Sequence, residues 1–187
     1  VPNPGYPTYT SVTKLAGARP IFYSLTEAND FRPDFRKLEA EHDLTKVKLM
    51  WVNYPHMPTG TPAADDLLKE LVAFSRKHEL IVVNDNPYSF ILTDRPQSIL
   101  KFAKSEDLIL ELNSLSKSHN MAGWRVGMAG GNPDLIQTIL TFKSQVDSGM
   151  FKPVMVAAVE ALKLGIEWYE KLNETYRERR KVAIELA

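Results

Sequence analysis

Four side chains in this 187-residue chain have types and settings that could do chemistry together: Lys117, Asp85, Tyr88 and Arg125. They fall within two of three polar clusters, NYPHMPTG at 53–60, NDNPYS at 84–89 and NSLSKSHNMAGWRVG at 113–127. A lysine that forms an imine with a carbonyl must be partly deprotonated, and small neighbours such as Ser114, Ser116 and Ser118 let a bulky partner approach it. Taken alone Lys117 means little, since most lysines are solvated surface charges. Asp85 follows the apolar run 80–83 and has the ordinary reading of a turn-former or helix cap. Beside a heteroaromatic ring, however, a carboxylate keeps a ring nitrogen protonated and the ring electron-withdrawing. Tyr88 is either a phenol donor to the same ring or a half-buried core tyrosine. Arg125, eight residues after Lys117, has a planar guanidinium suited to phosphate, and the Ser114 hydroxyl stands on the other side of the lysine. A surface ion pair is the plain alternative for such an arginine.

The elements that must position these groups are legible as an alternation of short β-branched runs with longer amphipathic ones, the mark of an α/β fold with a mainly parallel sheet. Strands are expected at 21–25, 48–53, 81–84, 108–113 and 125–129, and a helix at 62–79, where Leu67, Leu68, Leu71, Val72 and Phe74 form one apolar stripe behind Pro62, Asp65 and Asp66. Each polar cluster directly follows an expected strand. In open parallel sheets ligands bind beyond the carboxyl ends of the strands, so the clusters should converge on one edge. The link from 113 to 125 is short for a parallel crossover and shows no clear helix, so the last strand is expected to run antiparallel. From about 153 to the end a single long helical pattern is expected, with Gly165 as a bend. No internal repeat divides the chain, and one domain over 1–187 is the simplest reading.

Composition narrows the functional classes. The 23 basic side chains balance 23 acidic ones, so no net field favours nucleic acid or an anionic membrane, and a small molecule is the expected partner. There is no cysteine, which excludes disulfides and thiolate chemistry. The histidines at 42, 56, 78 and 119 lack metal-ligand spacing, and His42 and His78 read as residues near helix ends. The start carries neither the basic nor the apolar part of a secretory signal, and a cytoplasmic location is the default expectation. The chain opens without methionine in what reads as a loop and closes inside a helical pattern, so it is expected to be a piece of something longer.

The series PGYPTY, NYPHMPTG, DNPY, SLSK and GWRVG, in that order, resembles the motifs of class I and II aminotransferases, which have the type I fold of enzymes dependent on pyridoxal 5'-phosphate (PLP). These motifs span about the first two-thirds of the chain. The resemblance implies a three-layer α/β/α large domain ending in a long helix over roughly 153–187 that leads toward a small domain. It implies that Lys117 is catalytic, holding PLP as a Schiff base and moving a proton between the substrate α-carbon and the cofactor. Asp85 would bind the pyridine nitrogen and Tyr88 the ring oxygen; Ser114 and Arg125 would hold the phosphate, Ser116 would also belong to the cofactor site, and Tyr6 would stack on the ring. Gly123 and Gly127 would keep the backbone close. Amino acids and 2-oxo acids would be the substrates, and the full-length protein a homodimer. One position departs from the pattern: the family's NPTG reads Met57-Pro58-Thr59-Gly60 here, and methionine cannot donate the asparagine's hydrogen bond. That leaves Tyr88 alone at the ring oxygen, or with help from His56 or Asn53. The family's glycine-rich phosphate turn and its carboxylate-binding arginine lie outside this chain, so the piece by itself is expected to be inactive.

Other readings compete. Ser114 to Lys117 also fits S-x-x-K of penicillin-recognising serine enzymes, but S-D-N and K-T-G are absent and that serine should open a helix, whereas a strand leads into this one. No G-x-G-x-x-G or P-loop supports nucleotide binding. A lyase or cyclase of the same fold would use the same lysine, and a PLP-sensing regulatory module is the non-enzymatic alternative. Asn173-Glu174-Thr175 matches a glycosylation triplet in a charged helix and reads as chance.

Overall fold

The computed structural model describes residues 1–186. Its elements run β1 (Pro2–Asn3), α1 (Pro7–Leu15), β2 (Tyr23–Ser24), α2 (Phe35–Glu41), β3 (Leu49–Val52), α3 (Asp65–His78), β4 (Ile81–Asp85), β5 (Ile109–Ser114), α4 (Leu115–Ser118), β6 (Gly127–Gly131), α5 (Pro133–Val146), α6 (Lys152–Leu162) and α7 (Ile166–Leu186), with short 3-10 turns between some of them. The main sheet has the order β3-β4-β5-β6. Its first two pairings are parallel and β5–β6 is antiparallel, as the short link predicts. The fold is therefore α/β with a mostly parallel sheet.

Period-two alternation divides the sheet into two faces. Met50, Val52, Val82 and Ile109 point into the larger core, where α3 lays down Leu67, Leu68, Leu71, Val72 and Phe74. Asp65 and Asp66 in the first turn and Arg76, Lys77 and His78 in the last complement the helix dipole. Leu71 is fully buried, so Leu71→Ala leaves a cavity and should cost about 2–5 kcal/mol of stability in thermal or urea unfolding. A second, smaller core joins Leu115, Met121 and Val126 around the 114–126 link to Ala158 of α6. It anchors the segment that carries Lys117.

Strand β6 approaches β5 closely enough to require glycine. A Cβ at Gly131, where φ is +136°, would fall onto the Ile109 carbonyl, and one at Gly127 would meet the Asn113 carbonyl at 2.7 Å. Gly127 thus keeps the backbone close as expected, whereas Gly123 faces open space and is not needed for that purpose.

Several expectations are corrected. The loop expected at the start contains α1, because Pro7 sits in the first turn, where its missing N–H is harmless. The strand expected at 21–25 shrinks to Tyr23–Ser24, paired only with Pro2–Asn3 in a separate small sheet. Helix α3 starts at Asp65 rather than Pro62, with Ala64 as its cap residue. The link from 113 to 125 does hold a helix: Ser114 caps α4 by accepting the Ser116 N–H at 3.1 Å. The premise that no helix follows Ser114 therefore fails, and the S-x-x-K alternative falls on its missing partner motifs alone. The single helix expected over 153–187 is two, α6 and α7, separated around Gly165, a poor helix former. The expected continuation of the helix to Ala187 lies outside the described residues. His78 does more than terminate α3, since its Nε2 lies 2.8 Å from Glu39 Oε1.

Candidate active site

Because β3, β4 and β5 are parallel, Asn53, Asp85 and Ser114 all emerge at one edge of the sheet. The three polar clusters are tied together there. Asn53 Nδ2 donates to the Asp85 carbonyl, and Asn113 Nδ2 donates to the Asn86 carbonyl at 3.0 Å. Cross-strand partners share a face, so Asp85, paired with Leu112, points to the same side as Ser114 two residues further along β5. Turn α4, opened by Ser114, carries Lys117.

On that face Asp85 belongs to an aromatic cluster. Tyr9 of α1 donates its hydroxyl to Asp85 Oδ2 at 2.7 Å and stacks on Trp51, with ring centroids 5.0 Å apart. Tyr6 meets Tyr9 edge-on at 5.6 Å and is 44% exposed, leaving a ring face open. Burial raises the Asp85 carboxyl above the usual carboxylate range, and the Tyr9 hydrogen bond opposes the rise. Burial likewise raises the Tyr88 phenol, with the neighbouring Asp85, Tyr6 and Tyr176 adding to it. Among the described residues no cation pairs with Asp85, and its Oδ1 accepts no hydrogen bond. A half-buried carboxylate with one oxygen tethered and the other free matches a cationic ring nitrogen.

The second group lies beside the first. The Leu115 N–H donates to the Val126 carbonyl at 3.3 Å, which draws Arg125 next to Ser114. Arg125 holds a left-handed backbone at φ +53°, an unusual state for a long side chain and one that clusters at binding sites. Its Nη1 donates to the Ala122 carbonyl at 2.6 Å, and the rest of its exposed guanidinium makes no bond among the described residues. Ser114 and Ser116 are half-buried. Lys117 is exposed and has neither ion pair nor hydrogen bond from its amine among the described residues. So Tyr6, Asp85 and Tyr88 form one cluster and Ser114, Ser116, Lys117 and Arg125 an adjoining one. Among the described residues no side-chain hydrogen bond or ion pair joins the two, and a ligand between them would do so.

Neither substitute for Met57 is free in the same way. Asn53 is committed, its Oδ1 accepting the Met57 N–H at 2.8 Å while its Nδ2 serves Asp85. His56 bonds Thr59 Oγ1 through Nδ1 at 2.8 Å, and its Nε2 is buried without a hydrogen-bond partner. Burial lowers its pKa, an effect the nearby Pro4 carbonyl partly offsets. Among the described residues no group of three His, Asp or Glu side chains is placed to hold a metal ion, and no helix is long and apolar enough to cross a membrane.

This arrangement has known counterparts. The family model for aminotransferase class I and II matches residues 1–186. The chain belongs to the class I and II aminotransferases. Among curated relatives of this aminotransferase chain, the LL-diaminopimelate aminotransferases of Aquifex aeolicus and Halothermothrix orenii are each 40% identical, over 98% and 99% of the chain. The chain spans about half the length of these relatives, 48% of each. Among solved structures, substrate-bound BacF from Bacillus subtilis superposes with a TM-score of 0.89 at 38% identity, covering 95% of this chain and 45% of that one. A probable N-succinyldiaminopimelate aminotransferase from Thermus thermophilus superposes with a TM-score of 0.85 at 32% identity, covering 94% and 47% respectively. Aminotransferases of this class use PLP in general, and the cationic-ring match at Asp85 fits it. Sequence reasoning missed Tyr9: it lies inside the PGYPTY motif, but its partner is 76 residues away.

Proposed function

We propose that this chain is the cofactor-anchoring part of a PLP-dependent aminotransferase that moves an amino group from an amino acid to a 2-oxo acid. The observation that carries the reading is the half-buried Asp85 carboxylate, with Oδ2 held by Tyr9 and Oδ1 free, on the same sheet face as the serine that opens the Lys117 turn. PLP supplies an electron-withdrawing ring that acidifies the substrate α-carbon. Asp85 would hold the ring nitrogen, and the Tyr88 phenol would donate to the ring oxygen. Ser114, Ser116 and Arg125 take the phosphate, a charge-assisted arrangement that fixes the ring's direction. Tyr6 covers one ring face. Lys117 anchors the cofactor and carries the proton to and from the α-carbon, which its lack of other partners leaves it free to do.

An amino acid with a second polar end, such as the diaminopimelate named for the relatives, is the substrate class this reading favours. The substrate groups outside this chain's span would come from the other half of the full-length protein. We assign that protein as a homodimer, in which apolar side chains left open here, such as Leu140, Phe142 and Phe151, become covered.

Full-length protein mixed with PLP should absorb in the near-ultraviolet to visible range, and borohydride should fix the cofactor to one lysine. Peptide mass spectrometry is expected to find that adduct on Lys117. An adduct on any other lysine would end the assignment.

A further inference from the structure

Asn173 lies in α7 among charged residues, yet it is only 6% exposed. Its Oδ1 accepts the Leu92 N–H at 2.7 Å and its Nδ2 donates to the Phe90 carbonyl at 3.0 Å. An asparagine so engaged has no free amide for a glycan, which removes the last interest of the Asn173-Glu174-Thr175 triplet. The turn it grips is the one that begins at Tyr88: the Ile91 N–H closes back on the Tyr88 carbonyl at 2.9 Å. Leu92 holds a left-handed backbone at φ +50°, a conformation that persists only when its surroundings impose it. One turn earlier on α7, Tyr169 stacks on Phe90 with centroids 4.6 Å apart.

The same part of α7 reaches the other half of the site. Trp168 Nε1 donates to the Ser118 carbonyl at 2.9 Å, directly after Lys117. Tyr169 OH lies 3.3 Å from His119 Nε2, and His119 Nδ1 lies 2.8 Å from Ser118 Oγ. His119 is buried and serves none of the site roles assigned above. Two turns of one helix therefore bond the main chain that follows Tyr88 and the main chain that follows Lys117, and among the described residues no side-chain hydrogen bond runs directly between residues 88–92 and 117–119.

We propose that α7 is a brace for the site, in which Asn173 and Trp168 are positioning residues that set where Tyr88 and Lys117 stand relative to one another. The proposal rests on the aminotransferase reading. It differs from simple anchoring of α7 in what it predicts for the cofactor. A donated hydrogen bond favours the anionic form of the oxygen that accepts it, so a Tyr88 phenol in place keeps the bound cofactor more acidic. Asp85 on β4, Tyr6 ahead of α1 and Tyr176 on α7 are the titratable groups around that phenol. Loosening the 88–92 turn should weaken the donation.

The test uses the full-length protein loaded with PLP and reads the pH midpoint of the bound cofactor's absorbance, with thermal unfolding as a control. Asn173→Leu, similar in size but unable to bond Phe90 or Leu92, should raise that midpoint by about half a pH unit or more. In a Tyr88→Phe background the same substitution should leave the midpoint unmoved within about 0.1 unit, because both changes act through one phenol. A folded, PLP-loaded Asn173→Leu protein with the wild-type midpoint overturns the proposal, as does an equal displacement in both backgrounds. If the leucine variant does not fold, Asn173→Asp keeps the acceptor for Leu92, loses the donor and adds a negative charge; the same criteria apply to it, since a direct effect of that charge would persist in the Tyr88→Phe background. Failure of the underlying reading shows separately and first, as a wild-type protein without a borohydride adduct on Lys117.

Discussion

Lys117→Ala in the full-length protein should lower turnover about a thousandfold or more while leaving the fold intact. A positioned group that both anchors the cofactor and carries a proton contributes through nucleophilic and acid–base catalysis together, and the acid–base part alone is worth about 100- to 10,000-fold. The structural cost is small, because Lys117 is exposed and among the described residues its amine bonds to no side chain or backbone group. Surface substitutions of that kind stay within about 0.5 kcal/mol. Steady-state rates with an amino-acid donor and a 2-oxo acid, beside a thermal melt, make the comparison. Wild-type turnover in a folded Lys117→Ala protein would remove the lysine from the reaction.

Asp85→Asn is expected to retain PLP but to slow α-proton removal on the order of a hundredfold, a loss comparable to deleting one preorganised electrostatic group. The amide keeps the shape of the carboxyl, and its oxygen still accepts the Tyr9 hydroxyl, so the aromatic cluster and the sheet edge remain as they are. What is lost is the negative charge that keeps a proton on the ring nitrogen. Burial already raises the Asp85 carboxyl, so in the wild type the carboxylate is costly without a cation beside it and is stabilised by one. Exchange of the substrate α-proton with deuterium, followed by NMR, measures the step directly. An unchanged exchange rate would show that the electron-sink role is misplaced.

These two residues were legible in the sequence for the same reason that the sheet was. The runs LMWV, IVVND and ILELNS have the β-branched, apolar character of buried strands, and the polar residues that end them mark the edge at which Asp85 and Ser114 emerge. The antiparallel direction of β6 was legible too, because its dozen-residue link to β5 is short for a parallel crossover. Local rules failed where one residue type plays two parts. The start of the chain reads as a loop although Pro7 opens α1, and the 114–118 serines hide a helical turn because serine caps helices as readily as it fills loops.

Residue order and type thus determined the α/β alternation, the strand that would carry each polar cluster and the identity of the candidate site residues. Only the tertiary structure decided which groups hold them. Tyr9 reaches Asp85 across 76 residues, Asn173 reaches Leu92 across 81 and Trp168 reaches Ser118 across 50. Strand and helix periodicities arise from neighbouring residues and can be read in short windows. A hydrogen bond between distant segments depends on how whole elements pack, and no local pattern in the chain records it.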